Sequence, residues 1–309
     1  MSTRISLNSM SKLTGLLRHR TAFTHYKQWS PRGLRAVTTE TGKFEPEKHK
    51  IKNGFGLIVV NENFCESSKL QNLPNVNVDK KNAEEFCQSA NIKVFNDPNL
   101  KTRDLKADEM KDLFETICSQ RAFDFSSNDA FICFISSHGN KDGICGTDKK
   151  AIPEDKILKP FKDCASLKGK PKLFFINSCR GDKKDTGVRD DKVVADHAHP
   201  IIHPFEADIL VAHSSVDDYR SYGDVGLDSG SWFITELTKV FKKHAHNMNL
   251  TDMLTIVCEK VSEKKAQLAN DESVPPKEYQ QVPSFSSTLR KAVYFVPESD
   301  RQACDVQDG

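Results

Sequence analysis

The sequence has almost no net charge and no long apolar run, and these two absences exclude two kinds of partner. Its 309 residues include 45 Lys and Arg against 43 Asp and Glu, for a formal net charge of +2. Such a balance gives no sign of a nucleic-acid partner or of an anionic membrane surface. No apolar run approaches the roughly 18 residues that a membrane-spanning helix needs. We therefore expect no nucleic acid and no membrane among the partners.

The chain also lacks the cysteine spacing of a metal site. Its nine cysteines form no Cys-x-x-Cys pair and no Cys/His cluster with zinc spacing. Several lie within apolar runs, where cysteine acts as a small hydrophobic side chain. An odd, scattered set of cysteines indicates a reducing, cytoplasmic compartment and no structural metal. His197, His199 and His203 fall in a polar stretch, and we interpret them as solvated histidines rather than metal ligands.

Acidic residues are missing from the N-terminus. The first acidic residue is Glu40, and the first aspartate is Asp79. The residues before Glu40 are rich in arginine, serine and threonine, a composition that mitochondrial presequences share. A flexible basic pro-segment over residues 1–45 fits the same composition and is the interpretation we favour, with the mitochondrial alternative left open.

The sequence does contain an alternation of short apolar runs with helical patterns. The apolar runs predict strands at 56–60, 92–95, 130–136, 172–177, 208–213 and 293–296. Helical spacing predicts helices at 80–90, 107–118, 153–161, 231–244 and from 251 onward, with Asp79 as the cap of the first helix. A polar loop is expected at 271–283. This alternation predicts an α/β fold with a mostly parallel sheet covered by helices on both faces.

Two of the strand patterns end in chemically active residues. The run from Ala130 leads into His138-Gly139, and the run from Lys172 leads into Cys179-Arg180-Gly181. Reacting groups gather at the carboxyl ends of neighbouring parallel strands. Cysteine becomes a nucleophilic thiolate when a base lies within reach, and histidine is such a base. The two stretches together predict Cys179 as a nucleophile with His138 beside it.

Residues 182–204 differ in composition from the rest of the chain. They begin with a polar, mixed-charge run at 182–192 that cannot bury an apolar face, and the stretch around Pro200 and Pro204 continues the segment. A loop this long inside a compact domain is usually functional or cleavable. The segment holds five aspartates that we take as candidate cleavage positions, namely Asp182, Asp185, Asp190, Asp191 and Asp196.

With these motifs in place, the chain resembles the caspase family. The resemblance runs from about Gly54 to Phe295 and rests on stretches that occur in family order and spacing, namely 57–64, 136–148, 209–215, 230–233 and 281–295. It implies a caspase-hemoglobinase fold, in which a central, mostly parallel six-stranded sheet carries helices on both faces. It also implies an effector-like order of segments, with a short pro-segment at 1–45, a large-subunit region at 46–181, a cleavable linker at 182–204, a small-subunit region at 205–297 and a polar tail at 298–309.

The resemblance further implies a cysteine endopeptidase that acts in apoptotic signalling, cuts proteins after aspartate and needs no cofactor. Cys179 would be the nucleophile, and His138 would be the acid/base that protonates the leaving amine. The backbone N–H groups of Gly139 and Cys179 would form the oxyanion hole. Family members usually act as dimers, so a homodimer, a heterodimer with another caspase and binding by inhibitor-of-apoptosis proteins are the expected associations.

The residues that should hold a substrate aspartate depart from the family pattern. A buried carboxylate needs paired donors, and the family supplies two arginines and a glutamine. Here Asn177 stands at the glutamine position, Leu73 or Pro74 at the first arginine and Gly223 at the second. Two alternatives stay open: Arg220, three residues before Gly223, could swing into the pocket, or the loop register could differ by a few residues.

The other substrate-binding positions match the family more closely. Ser221 and Tyr222 precede the second pocket position. Tyr222 and Trp232 fit the family's aromatic and apolar pocket walls, and an ordinary role as core or surface aromatics fits them equally well. The sequence therefore predicts a peptidase with weak or altered specificity for aspartate. The alternative is an impaired decoy caspase that binds an active caspase and modulates it.

Overall fold

Fifteen strands and five α-helices make up the part of the chain that the computed structural model describes, which is residues 37–38, 44–119, 123–181, 207–217, 219–222, 230–268 and 277–296. The strands are β1 (Val37–Thr38), β2 (Phe44–Glu45), β3 (Lys48–Ile51), β4 (Gly54–Val60), β5 (Ile92–Val94), β6 (Ala130–Ser136), β7 (Gly139–Asn140), β8 (Gly143–Cys145), β9 (Ala151–Ile152), β10 (Lys172–Asn177), β11 (Ile209–His213), β12 (Ala266–Leu268), β13 (Lys277–Tyr279), β14 (Ser284–Ser287) and β15 (Ala292–Phe295). The helices are α1 (Val76–Ser89), α2 (Ala107–Cys118), α3 (Glu154–Asp163), α4 (Trp232–His244) and α5 (Leu250–Ser262), with short 3-10 turns at Glu66–Ser68 and Ala165–Leu167.

Six of the strands form the central sheet, in the order β14-β11-β10-β6-β4-β5. The five strands from β11 to β5 run parallel to one another, and β14 pairs with β11 in the antiparallel direction. This architecture confirms the predicted α/β fold with a central, mostly parallel six-stranded sheet.

Helices cover both faces of this sheet, because its inner strands are apolar on both sides. In β10, Leu173 and Phe175 belong to the core cluster that also contains buried residues of α1, α4 and α5. Phe174 and Ile176 face the other way, into a second cluster with buried residues of α2 and α3. The strand residues are aromatic or branched, which suits a pleated surface buried on both sides.

The register between β6 and β10 decides where the two strands end. Asn177 lies opposite Ser136, so the last residues of the two parallel strands stand side by side. The backbone N–H of Ser137 continues the pairing by donating to the carbonyl of Asn177 at 3.2 Å. The chain therefore leaves both strands at the carboxyl end of the sheet, at the same level.

Two predicted elements differ from the structure at the C-terminal end. The predicted loop at 271–283 contains β13, and the sixth sheet strand is β14, whose Ser-Phe-Ser-Ser sequence has no apolar run to reveal it. The predicted last strand exists as β15, but it pairs in parallel with β3 outside the central sheet. Edge strands are short and polar because one side of their backbone stays unpaired in the sheet.

The role predicted for Asp79 is wrong. Helix α1 begins at Val76, so Asp79 lies inside its first turn and is 3% exposed. The capping interpretation failed because the helix starts about one turn earlier, with Asn75 and not Asp79 at the position before its first residue.

No helix in the described part of the chain is long and apolar enough to cross a membrane.

Phe86 of α1 is expected to be an anchor of the first core cluster. It is 1% exposed, and its ring lies 4.4 Å from Phe241 and 5.6 Å from Phe134, centroid to centroid. Phe86→Ala should lower the free energy of unfolding by about 3–5 kcal/mol, because a large cavity replaces the ring. Urea unfolding followed by circular dichroism measures this loss. The control Phe95→Ala, at a half-buried ring, should lower the free energy of unfolding by less. Equal losses in the two variants would contradict the assignment of Phe86 as a core anchor.

Candidate active site

The segments that follow β6 and β10 lie against each other. A Cβ atom placed on Gly139 would stand 2.4 Å from the carbonyl oxygen of Cys179 and 2.9 Å from the Cβ of Ser178. Such distances are far inside van der Waals contact, so only glycine fits at position 139. The structure therefore brings the His138-Gly139 turn into direct contact with the Ser178-Cys179 turn.

His138 is oriented by a backbone carbonyl. Its Nε2 atom lies 2.8 Å from the carbonyl oxygen of Gln71, and its ring packs edge-on against Phe64 with centroids 4.7 Å apart. A carbonyl accepts hydrogen bonds and cannot donate them, so Nε2 carries a hydrogen. The neutral ring consequently keeps Nδ1 as the nitrogen that can accept a proton.

Cys179 is half-buried at the tip of β10, and its Sγ accepts a hydrogen bond from the backbone N–H of Ser221 at 3.4 Å. Several other cysteines are kept in the protonated, unreactive thiol form. Burial raises the pKa of Cys87 and Cys133, and burial and then the nearby Cys179 raise the pKa of Cys145 to about 11. A raised pKa suppresses the thiolate, so these three thiols are poor nucleophiles at neutral pH.

A cavity of about 340 Å³ opens beside Cys179. The lining residues include a histidine–carboxylate contact and an arginine–carboxylate ion pair. His213 Nε2 lies 3.0 Å from Glu154 Oε2, and Arg180 pairs with Asp217. Burial acts to raise the pKa of Glu154, but the hydrogen bond and charge of His213, with the charge of Arg180, outweigh it and lower that pKa.

Asp79 forms the polar centre of the same sheet edge. Its Oδ1 accepts hydrogen bonds from the backbone N–H and the hydroxyl of Ser231, at 2.8 and 2.9 Å. Its Oδ2 accepts hydrogen bonds from Ser136 Oγ and from Asn177 Nδ2, both at 3.0 Å. Burial raises the pKa of Asp79, and the hydrogen bonds from Ser231, Ser136 and Asn177 act in the opposite direction. One carboxylate thus joins α1, β6, β10 and the start of α4.

The predicted substrate-binding residues come together around this carboxylate. Ser221 Oγ lies 3.1 Å from Asn177 Oδ1, and the rings of Tyr222 and Trp232 are 5.8 Å apart. Leu73, at one of the two candidate positions for the first family arginine, packs against the first core cluster, which also contains Trp232.

Three of the arginines in the described residues are engaged with carboxylates of the same chain. Arg103 pairs with Glu62, Arg180 with Asp217, and Arg290 with Asp208. Arg220, the arginine nearest in sequence to the second pocket position, directly precedes Ser221 in the chain.

Some predicted positions lie outside the described residues. These are Gly223, the histidines at 197, 199 and 203, and the five candidate cleavage aspartates at 182, 185, 190, 191 and 196. In contrast, sequence reasoning did not single out Gln71, Glu154 or His213 for the site. Nothing in their local pattern marks them, because each is brought to the cavity or the histidine by contacts between distant elements.

The structure is an α/β protein that has a cysteine and a histidine at neighbouring strand ends, an arrangement typical of cysteine peptidases. Comparison with known proteins identifies the family. A sequence profile described as Caspase domain matches residues 53–294. The chain therefore belongs to the caspase family, whose members are cysteine endopeptidases that act on proteins and typically form dimers.

Individual relatives support the same assignment. Caspase-3 of Bos taurus is 34% identical over 244 residues, which cover 78% of this chain and 84% of the relative. Caspase-3 of Oryctolagus cuniculus is 32% identical over 262 residues, covering 83% of this chain and 90% of the relative. Caspase-6 of Gallus gallus is 31% identical over 262 residues, covering 80% and 82%.

Asp79 should make the stability of the chain depend on pH in a defined direction. Its pKa is raised in the folded state, so the folded chain holds this proton more tightly than the unfolded chain. The stabilising contribution is complete below the ordinary carboxyl pKa and is lost as pH rises through the raised pKa.

Comparison with Asp79→Asn isolates this contribution. From about pH 4 upward, the free energy of unfolding of the wild type should fall relative to that of the variant, as measured by urea titration at successive pH values. If the introduced amide makes poorer hydrogen bonds than the carboxyl group, the free energy of unfolding of the variant changes by the same amount at every pH. Parallel curves over the whole range would contradict the raised pKa.

Proposed function

We propose that the chain is a caspase-like cysteine endopeptidase that acts in proteolytic, apoptotic signalling, with Cys179 as nucleophile and His138 as acid/base. The observation that supports this most directly is the contact between Gly139 and the Cys179 backbone, which leaves no room for a side chain. Two turns in direct contact support a mechanism in which the Cys179 thiol and the His138 imidazole act on the same peptide bond.

The proposed chemistry follows from the orientation of these groups. The Cys179 thiolate attacks the scissile carbonyl carbon, and the backbone N–H groups of Gly139 and Cys179 stabilise the oxyanion. His138, held through Nε2 by the Gln71 carbonyl, uses Nδ1 to take the thiol proton and deliver it to the leaving amine. Water then hydrolyses the thioester to release the second product.

The proposed specificity for aspartate is weak or altered. Removing one partner of a buried charge pair costs about 3–5 kcal/mol, and the aligned pocket lacks two cations. Because every ~1.4 kcal/mol is a factor of ten in rate, the loss amounts to a factor of thousands or more. Ser221, Tyr222 and Trp232 would form the remaining walls that hold a peptide.

Maturation is proposed to follow the family plan. Cleavage at one or more of the five linker aspartates would separate a large-subunit region, 46–181, from a small-subunit region, 205–297. The basic segment 1–45 would act as a short pro-segment in the cytoplasm, and because it contains no aspartate, its removal would need a protease of other specificity. Partners would be protein substrates, a second copy or another caspase, and inhibitor-of-apoptosis proteins.

Turnover should depend on Cys179 and not on the neighbouring buried thiol. Cys179→Ala and His138→Ala are each expected to abolish cleavage of a peptide library by the full-length chain, tested before and after proteolysis of the 182–204 segment. Cys145→Ala is the matched control and should retain cleavage, because burial raises its pKa to about 11 and keeps it protonated. Undiminished cleavage by Cys179→Ala would refute the proposed nucleophile.

Restoring the family's pocket should restore its specificity. The triple variant Leu73→Arg, Asn177→Gln and Gly223→Arg is expected to raise kcat/KM for peptides with aspartate before the cut by a factor of thousands, because the two charge partners are recovered. Steady-state kinetics on matched aspartate and alanine peptides measure the change. An unchanged aspartate rate in a folded triple variant would mean that these positions do not form the acid pocket.

A decoy role is the second candidate function, and the same missing cations favour it. A chain that keeps the caspase fold but cannot hold an aspartate would still pair with an active caspase. Mixing purified chain with an active caspase and following that enzyme's rate tests this role. Absence of turnover on every peptide together with a changed rate of the partner would support the decoy, whereas turnover that disappears in Cys179→Ala would support the peptidase.

A further inference from the structure

Resting on the proposed function, we propose that the specificity pocket selects a substrate residue with a neutral amide side chain, asparagine or glutamine, in place of aspartate. Asp79 is the residue that sets this preference, and it acts through Asn177.

Asn177 has its donors directed away from the peptide site. A primary amide has two N–H donors and one carbonyl acceptor. Its Nδ2 donates to Asp79 Oδ2 at 3.0 Å and lies 3.4 Å from Ser136 Oγ, both buried partners. The carboxylate accepts hydrogen bonds, so it fixes the amide with nitrogen inward and oxygen outward. A substrate carboxylate would therefore meet the Oδ1 atom of Asn177, which repels it.

Ser221 is a second polar side chain at this point, and its hydroxyl already contacts that oxygen. Its hydroxyl stands 3.1 Å from Asn177 Oδ1, and a hydroxyl that donates to this atom keeps its lone pairs for an incoming group. The surface formed by Asn177 and Ser221 consequently offers acceptors. A substrate N–H group satisfies such a surface, and a carboxylate does not.

A cationic substrate side chain is also disfavoured. Asp79 is the nearest described carboxylate to Asn177, but its two oxygens already accept four hydrogen bonds, from Ser231, Ser136 and Asn177. It lies beneath the amide and is 3% exposed, so it has no free acceptor position for a substrate ammonium or guanidinium. Burying an unpaired charge is costly, whereas a neutral amide needs only hydrogen bonds. The apolar Leu73 at a family arginine position adds to this preference.

Peptide binding tests the proposal without requiring turnover. Full-length Cys179→Ala is titrated by calorimetry with matched peptides that differ only in the residue before the cut, which is asparagine, glutamine, aspartate, lysine or leucine. The asparagine or glutamine peptide should bind at least tenfold more tightly than the aspartate, lysine and leucine peptides. Equal or tighter binding of the aspartate or lysine peptide, or no binding of any peptide, would overturn the proposal.

Single substitutions identify the residues that produce the preference for an amide side chain. In the same Cys179→Ala background, Asn177→Leu should reduce the amide-over-leucine ratio to about one, and Asp79→Asn should reduce the amide-over-aspartate ratio by releasing the fixed amide. Thr255→Ala, on the exposed face of α5, is the matched control and should keep the wild-type ratios. If Asp79→Asn does not fold, as judged by circular dichroism, the Asn177→Leu result decides. Unchanged ratios in folded Asn177→Leu would overturn the assignment.

The proposal and the proposed function fail in different ways. If the amide peptides bind preferentially but the wild type cleaves none of them, the peptidase function fails and the pocket assignment stands. If the wild type cleaves after aspartate in preference to asparagine, the pocket assignment fails and the peptidase function stands.

Discussion

The parallel register between β6 and β10 is the constraint on which the site depends. Because Ser136 and Asn177 end their strands side by side, the chain turns at one edge of the sheet in both places. The turns then pack so closely that position 139 admits only glycine. A shift by one residue would exchange the faces of Phe174 and Phe175 and disrupt the packing of both apolar clusters. The two apolar clusters therefore fix the register, and the register fixes the positions of His138 and Cys179.

A buried network of hydrogen bonds also organises this end of the sheet. Asp79 is a buried carboxylate that receives four hydrogen bonds from Ser231, Ser136 and Asn177. These partners belong to elements far apart in the chain, so the carboxylate joins α1 to two strand ends and to the start of α4. Burying it without these donors would be costly. Their convergence beside the proposed substrate-binding residues is the basis for our proposal that Asp79 influences the choice of substrate.

Homology and chemistry bear on different questions in this chain. Membership of the caspase family follows from the match over residues 53–294 and from relatives at 31–34% identity. Leu73, at one of the two candidate positions for the family's first arginine, packs against the first core cluster, and the caspase fold forms without a cation there. Function at the pocket has to be argued from its own donors and acceptors, which in this chain favour a neutral partner.

The sequence by itself determined the α/β class, the six-stranded sheet expected from the resemblance, and the two strand-end motifs, because apolar runs and strand-end residues are local signals. It did not reveal β14, whose Ser-Phe-Ser-Ser sequence carries no apolar pattern. It also misplaced Asp79 as a helix cap and gave no reason to single out the Gln71 carbonyl, Glu154 or His213. Only the tertiary structure decided these, because each depends on which distant segments meet at one edge of the sheet.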